Sequence, residues 1–159
     1  GACLAFTGYT EVDDAGAAKI SKISVAKHAI EAAVLGRLRA VSGTRLRAFL
    51  SFGNPLPCSS VTYDRAALGD FQFSTCYKSN LDWDAWWRLM EEGRTFARAP
   101  ERLLGRRHNA LTATASLTRA GIRGKEDAAM FRRAWPRPFA DAIHFAYRAS
   151  YQAGPRHAP

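Results

Sequence analysis

The sequence predicts an α/β chain: a short mixed sheet with flanking helices and a helical C-terminal extension. Three observations predict it. Residues 3–9 and 59–63 are short apolar and aromatic runs of strand length. Longer segments place apolar residues at helical spacing, as Ile30, Ala33, Val34, Leu38 and Val41 do, and again Phe139, Ile143, Tyr147 and Tyr151. Gly and Pro separate these segments at short intervals. With 159 residues and 47% apolar content, one domain with a core is expected. No apolar run reaches the length of a membrane span.

Taken in order, residues 3–9 read as a buried strand, and Asp13-Asp14-Ala15-Gly16 as a turn. Residues 18–25 alternate loosely and are expected to close a hairpin as a second strand. Residues 26–50 read as helix, broken at Ser42-Gly43-Thr44, with Thr44 as the cap of the second piece. Asn54-Pro55-Leu56-Pro57 ends that helix, because each proline disfavours helix in the residue before it. A strand follows at 59–63, then one helical turn from Asp64 to Gly69. A helix is expected over 82–92, with Gly93 as its stop. Residues 95–100 and 102–108 read as two short strands around Pro100. Residues 110–119 read as loop or weak helix, 124–135 as a helix stopped by Pro136, and 138–151 as a last helix. Residues from 152 onward read as a disordered tail.

The net charge of +9 is unevenly placed. Residues 1–93 carry ten basic and ten acidic side chains, whereas residues 94–159 carry thirteen and four. Such asymmetry points to an anionic partner or to a solvated helical face. Cys3, Cys58 and Cys76 are odd in number and widely spaced, which fits neither a disulfide framework nor a zinc pattern. A reducing, cytoplasmic setting follows. The chain opens on a strand without a Met, which is the expectation for a fragment.

The chemistry concentrates in residues 79–89, Ser-Asn-Leu-Asp-Trp-Asp-Ala-Trp-Trp-Arg-Leu, where two carboxylates stand among three tryptophans. An acid set between apolar surfaces is costly unless it is paired or used. An Asp at a helix start is in most proteins a cap, and Asp84 is well placed to hold Arg88 one turn on. The tryptophans recur at helical spacing and suit a core stripe as well as a sugar platform. Asp82 and Asp84 are two apart, so they diverge on a helix and make a poor glycosidase pair.

This stretch, with residues 52–63 ahead of it, resembles the acceptor-side half of an inverting family-2 glycosyltransferase of the GT-A type. Members carry the pattern Glu-Asp-x-Asp-x-Trp-x-Arg-Leu, matched here by Asp82, Trp83, Asp84, Trp86, Arg88 and Leu89, with Leu81 in place of the Glu. The likeness runs from Phe6-Thr7-Gly8-Tyr9 to residues 131–136 and includes Leu68-Gly69-Asp70-Phe71. It implies a partial GT-A fold over 1–110 with a helical extension over 111–151. It implies transfer of a sugar from a nucleotide sugar to a hydroxyl of a glycan or lipid-linked saccharide, in polysaccharide assembly at the cell envelope.

By the same likeness Asp82 is the catalytic base, and Trp83, Asp84 and Trp86 bind the acceptor. His108, Arg106 and Arg107 lie near the diphosphate or the metal. The complete enzyme is expected to use a divalent cation, Mg or Mn, held by an Asp-x-Asp motif. No such motif precedes Asp82 here, so the chain by itself is expected to lack donor binding. The Arg- and aromatic-rich residues 132–139 imply peripheral membrane contact, with snorkelling arginines as the plainer reading. No nucleic acid is expected as a partner. The rival readings are a basic nucleic-acid-binding module and a non-catalytic scaffold.

Overall fold

The computed structural model describes residues 1–13, 15–107 and 112–152. Among these, the chain is an α/β fold of four strands in one mixed sheet and seven α-helices. The order in the sheet is β2 (Ala40–Val41), β4 (Phe96–Arg107), β1 (Leu4–Val12), β3 (Val61–Tyr63). β1 runs parallel to β4 and antiparallel to β3, and β2 is antiparallel to β4.

β4 differs from expectation: it is one strand, not two. Pro100 does not end it, because the irregularity is absorbed as a bulge. Thr7 pairs with Ala99, Gly8 with Arg102 and Tyr9 with Leu104, so Pro100, Glu101 and Leu103 are the extra residues. The Thr7 hydroxyl donates to the Glu101 carbonyl at 2.6 Å and accepts from the Leu103 amide at 3.3 Å, which closes the bulge. Gly8 is needed here, since a Cβ would stand 3.0 Å from Arg102 Cγ and 3.3 Å from the Glu101 carbonyl. Beyond the bulge the pairing continues as far as Val12 and Arg107 and carries Arg106 alongside Glu11.

The expected hairpin strand over 18–25 does not form. Ala18 makes a lone bridge to Val12, and helix α1 (Lys22–Leu35) then begins. Ser21 caps it by accepting from the Ser24 amide at 3.1 Å, a cap that outweighs the loose alternation. The long helix over 26–50 is also cut earlier than expected, at Gly36, and the chain returns through β2 to α2 (Gly43–Leu50). Ser42, not Thr44, is the N-cap residue of α2. Residues 58–60 form a single 3₁₀ turn ahead of β3. Asp64 caps α3 (Arg65–Leu68), and α4 spans Leu81–Glu91. Thr112 caps α5 (Ala113–Arg119), followed by α6 (Ile122–Ala134) and α7 (Arg137–Gln152).

The core lies between the sheet and α2, α4, α6 and α7. Leu4, Phe6, Leu46, Phe49, Leu50, Phe96, Met130, Phe131 and Ala140 are buried in one cluster with Trp83, Trp86 and Trp87. The helices after residue 111 therefore share the core of the sheet. Their indole N–H groups fix a loop as well as filling space. Trp83 donates to the Leu50 carbonyl at 3.0 Å, Trp86 to Leu56 at 3.1 Å, and Trp135 to Ser51 at 2.9 Å. Residues 51–57 are thus latched to the core from both ends. Within them Gly53 adopts φ 124°, and a Cβ there would stand 2.7 Å from the Tyr147 ring. No helix among the described residues is long and apolar enough to cross a membrane.

Candidate functional site

Three elements bring a carboxylate, an amide and an ammonium together beside an open cleft of about 230 Å³. α4 supplies Asp82, the latched loop supplies Asn54, and α1 supplies Lys27. The cleft is also lined by Tyr9 and Arg106 from the β1–β4 pair and by Arg123 from α6.

The position of Asp82 depends on how α4 begins. A helix start leaves backbone N–H groups without intrahelical partners. Here a carboxylate from α6 takes three backbone donors at and just before the cap: Glu126 accepts from Lys78 at 2.9 Å, Ser79 at 2.8 Å and Asn80 at 3.0 Å. Its charge also sits at the positive end of the helix dipole. Asn80 turns its side chain outward from its own helix and donates to Asp127 at 2.8 Å. Glu126 and Asp127 therefore staple the start of α4 to α6. Two residues after the cap, Asp82 Oδ1 accepts from the Trp83 amide at 2.8 Å.

Asn54 is oriented by its own turn. Its side-chain oxygen accepts from the Leu56 amide at 3.2 Å, which leaves its NH₂ group for the Asp82 carboxylate. Lys27 Nζ donates to the Asn54 carbonyl at 2.7 Å, and its charge favours ionised Asp82. Burial acts in the opposite direction and is the largest influence. The Asp82 carboxyl is held above the ordinary carboxylate range by desolvation, despite the Asn54 and Trp83 hydrogen bonds and the Lys27 charge. The result is a half-buried acid with a raised proton affinity, facing a polar cleft.

The other residues that the sequence singled out are dispersed. Trp83 and Trp86 are fully buried and belong to the core, not to a cleft wall. Their spacing served packing, and the expectation that they meet an acceptor is corrected on that ground. Asp84 is also buried, at 5% exposure, and its partner is Arg133 of α6 at 2.8 Å. Arg88 is not its ion-pair partner; Arg88 donates to the Gln72 carbonyl at 2.9 Å and lies over the Phe71 ring. Asp84 is accordingly a structural anchor between α4 and α6. Arg106 enters the cleft, 5.7 Å from the Tyr9 ring centre, whereas Arg107 is exposed and does not line it. Adjacent strand residues point to opposite faces, which separates the two. His108 lies outside the described residues.

Lys27, Asn54, Arg123, Glu126 and Asp127 are the site residues that sequence reading passed over. Only the Asn-Pro step carried a signal, as a turn. The rest are brought in by tertiary contact from segments 41 to 55 positions away from Asp82 or its cap.

A divalent cation requires several oxygen ligands. The cleft offers one carboxylate, Asp82, among three cationic side chains. Among the described residues no group of three His, Cys, Asp or Glu gathers at one point. This donor set does not fit a divalent cation. Comparison with protein-family models, with curated proteins and with solved structures finds no match to this chain.

Proposed function

We propose that the chain is the acceptor-side portion of a GT-A-type glycosyltransferase that moves a sugar from a nucleotide sugar to a hydroxyl of a glycan or lipid-linked saccharide, with inversion. The observation that carries this reading is Asp82: a carboxylate of raised proton affinity, held by three elements and facing an open polar cleft. Asp82 takes the proton of the acceptor hydroxyl as that oxygen attacks the anomeric carbon. The new carbon–oxygen bond forms on the face opposite the leaving nucleoside diphosphate, whose bond to the sugar breaks. A base is more effective as its pKa rises toward the working pH, so burial of Asp82 serves the step. Donor and cation belong, on this reading, to a nucleotide-binding half with its own Asp-x-Asp motif.

Phe139 and Phe145 are exposed on α7, which also carries Arg137 and Arg148, and this supports peripheral contact with an anionic bilayer. The nucleic-acid alternative draws less support. Several late arginines are engaged in ion pairs: Arg98 with Glu31, Arg132 with Asp141, and Arg133 with Asp84 and Glu91.

The test is a transfer assay on the full-length gene product with a panel of nucleotide sugars and acceptor saccharides. The expected result is a product of inverted anomeric configuration, with Asp82→Asn lowering turnover by about 10²-fold or more while nucleotide-sugar affinity holds. Turnover unchanged in Asp82→Asn removes the residue from the mechanism. Tight oligonucleotide binding with a steep salt dependence, and no response to any sugar nucleotide, would establish the nucleic-acid reading instead.

A further inference from the structure

The charge of the cleft says what kind of molecule belongs there. Lys27, Arg106 and Arg123 reach it from α1, β4 and α6, and Asp82 is the one carboxylate lining it. Arg123 has Asp127 behind it at 3.8 Å. Among the described residues neither Lys27 nor Arg106 forms an ion pair with a carboxylate. Lys27 rests on the Asn54 carbonyl and Arg106 over the Tyr9 ring. Three cations against the single Asp82 carboxylate leave the half-enclosed lining net positive, so its cations repel each other and are desolvated at a cost. A bound anion removes both penalties, and an Arg and a Lys can both donate to the same oxyanion.

We propose that the cleft binds a saccharide bearing an oxyanion, a carboxylate or a phosphate, with that group held by Lys27 and Arg106 and a hydroxyl directed at Asp82. The cleft is below the roughly 300–1,000 Å³ of sites for drug-sized ligands, so it takes about one sugar ring. This deepens the proposed function, because it rests on the cleft beside Asp82 being the acceptor site. The acceptor is then an acidic sugar and not a neutral one. The arrangement also separates roles. The anion compensates the cations, so Lys27 no longer acts chiefly on Asp82, and the proton affinity of Asp82 rises further when ligand is in place.

The experiment is a calorimetric titration of the protein with glucuronate, glucose 6-phosphate and glucose, repeated at low and high salt. An acidic sugar is expected to bind about tenfold or more tighter than glucose, the factor given by one charge-assisted hydrogen bond. Lys27→Gln and Arg106→Gln are each expected to remove that advantage, while Arg45→Gln, an exposed charge on α2, leaves it intact. Glucuronate and glucose 6-phosphate decide between carboxylate and phosphate as the oxyanion. Equal affinity for glucose and both acidic sugars overturns the inference, as does an equal loss in all three variants, which would report bulk charge. Acidic-sugar binding without any transfer by the full-length gene product sinks the transferase reading and leaves this inference standing. Transfer to neutral saccharides alone does the reverse.

Discussion

At the scale of single residues, two aspartates two positions apart meet different fates. Asp84 is buried against Arg133, and its second oxygen, Oδ2, has no hydrogen-bond partner among the described residues. Removing the guanidinium leaves a buried charge alone. Arg133→Ala is therefore expected to lower the unfolding free energy by about 3 kcal/mol or more, read by chemical denaturation. Asp82 faces the cleft instead, and its burial has the opposite consequence. Its folded-state pKa is raised, so the folded protein holds the proton more tightly than the unfolded chain. The ionised form is disfavoured on folding, and stability falls as pH rises from the ordinary carboxylate range through the raised value. Asp82→Asn is thus expected to be more stable than the parent at neutral pH. That gain should shrink as pH falls through the raised value toward the ordinary carboxylate range, and level off below it. A gain that grows toward acid would contradict the assignment. The sequence shows that Asp82 and Asp84 share a helix start. It does not show which of them meets Arg133, a pairing that depends on where α6 crosses α4.

At the scale of elements, the start of α4 is the critical joint. Its cap residue, Asn80, makes no side-chain bond to its own helix, and Glu126 instead holds the entry to it by accepting from three amides at and just before the cap. Glu126→Gln keeps the shape and loses the charge, with an expected cost of about 2 kcal/mol, and Glu126→Ala should cost more. Both should also broaden the amide NMR signals of residues 79–83, because the staple that sets Asp82 is weakened. Sharp, unshifted signals there would mean that α4 holds its own start. Caps explain what was legible at this scale and what was not. Asp64 and Gly69 bracket α3 as their residue types announce, and Gly93 follows α4 as expected. The cap of α1 at Ser21 was hidden by a false strand pattern, and Glu126 lies 46 positions from the amide of Asn80. Local rules see only local partners. The bulge in β4 belongs to the same class: Pro100 reads as a strand end until Thr7 and Gly8 of the neighbouring strand are known to accommodate it.

At the scale of the whole molecule, the α/β class was legible because it rests on periodicity and length, which are local. The sheet order was not, since β1 pairs with β4 across some ninety positions and no residue type records that choice. The four tryptophans were legible as apolar, and Trp83 and Trp86 were misleading as acceptor ligands. Their N–H groups are mostly directed at the loop that carries Asn54, so they act on the site from behind it. The basic last third likewise resolves into separate uses. Some of its arginines tie α6 to α4 and α7, and Arg106 and Arg123 turn to the cleft. Sheet, latched loop, α1 and α6 thus converge on one carboxylate, and the central claim is that this carboxylate is a base awaiting an acceptor hydroxyl. Carbon-13 NMR of the Asp82 carboxyl across pH, without and with an acceptor saccharide, tests it directly. The expected result is a midpoint above the ordinary aspartate range that moves when the saccharide binds. A midpoint at or below that range, unmoved by any saccharide, would contradict it.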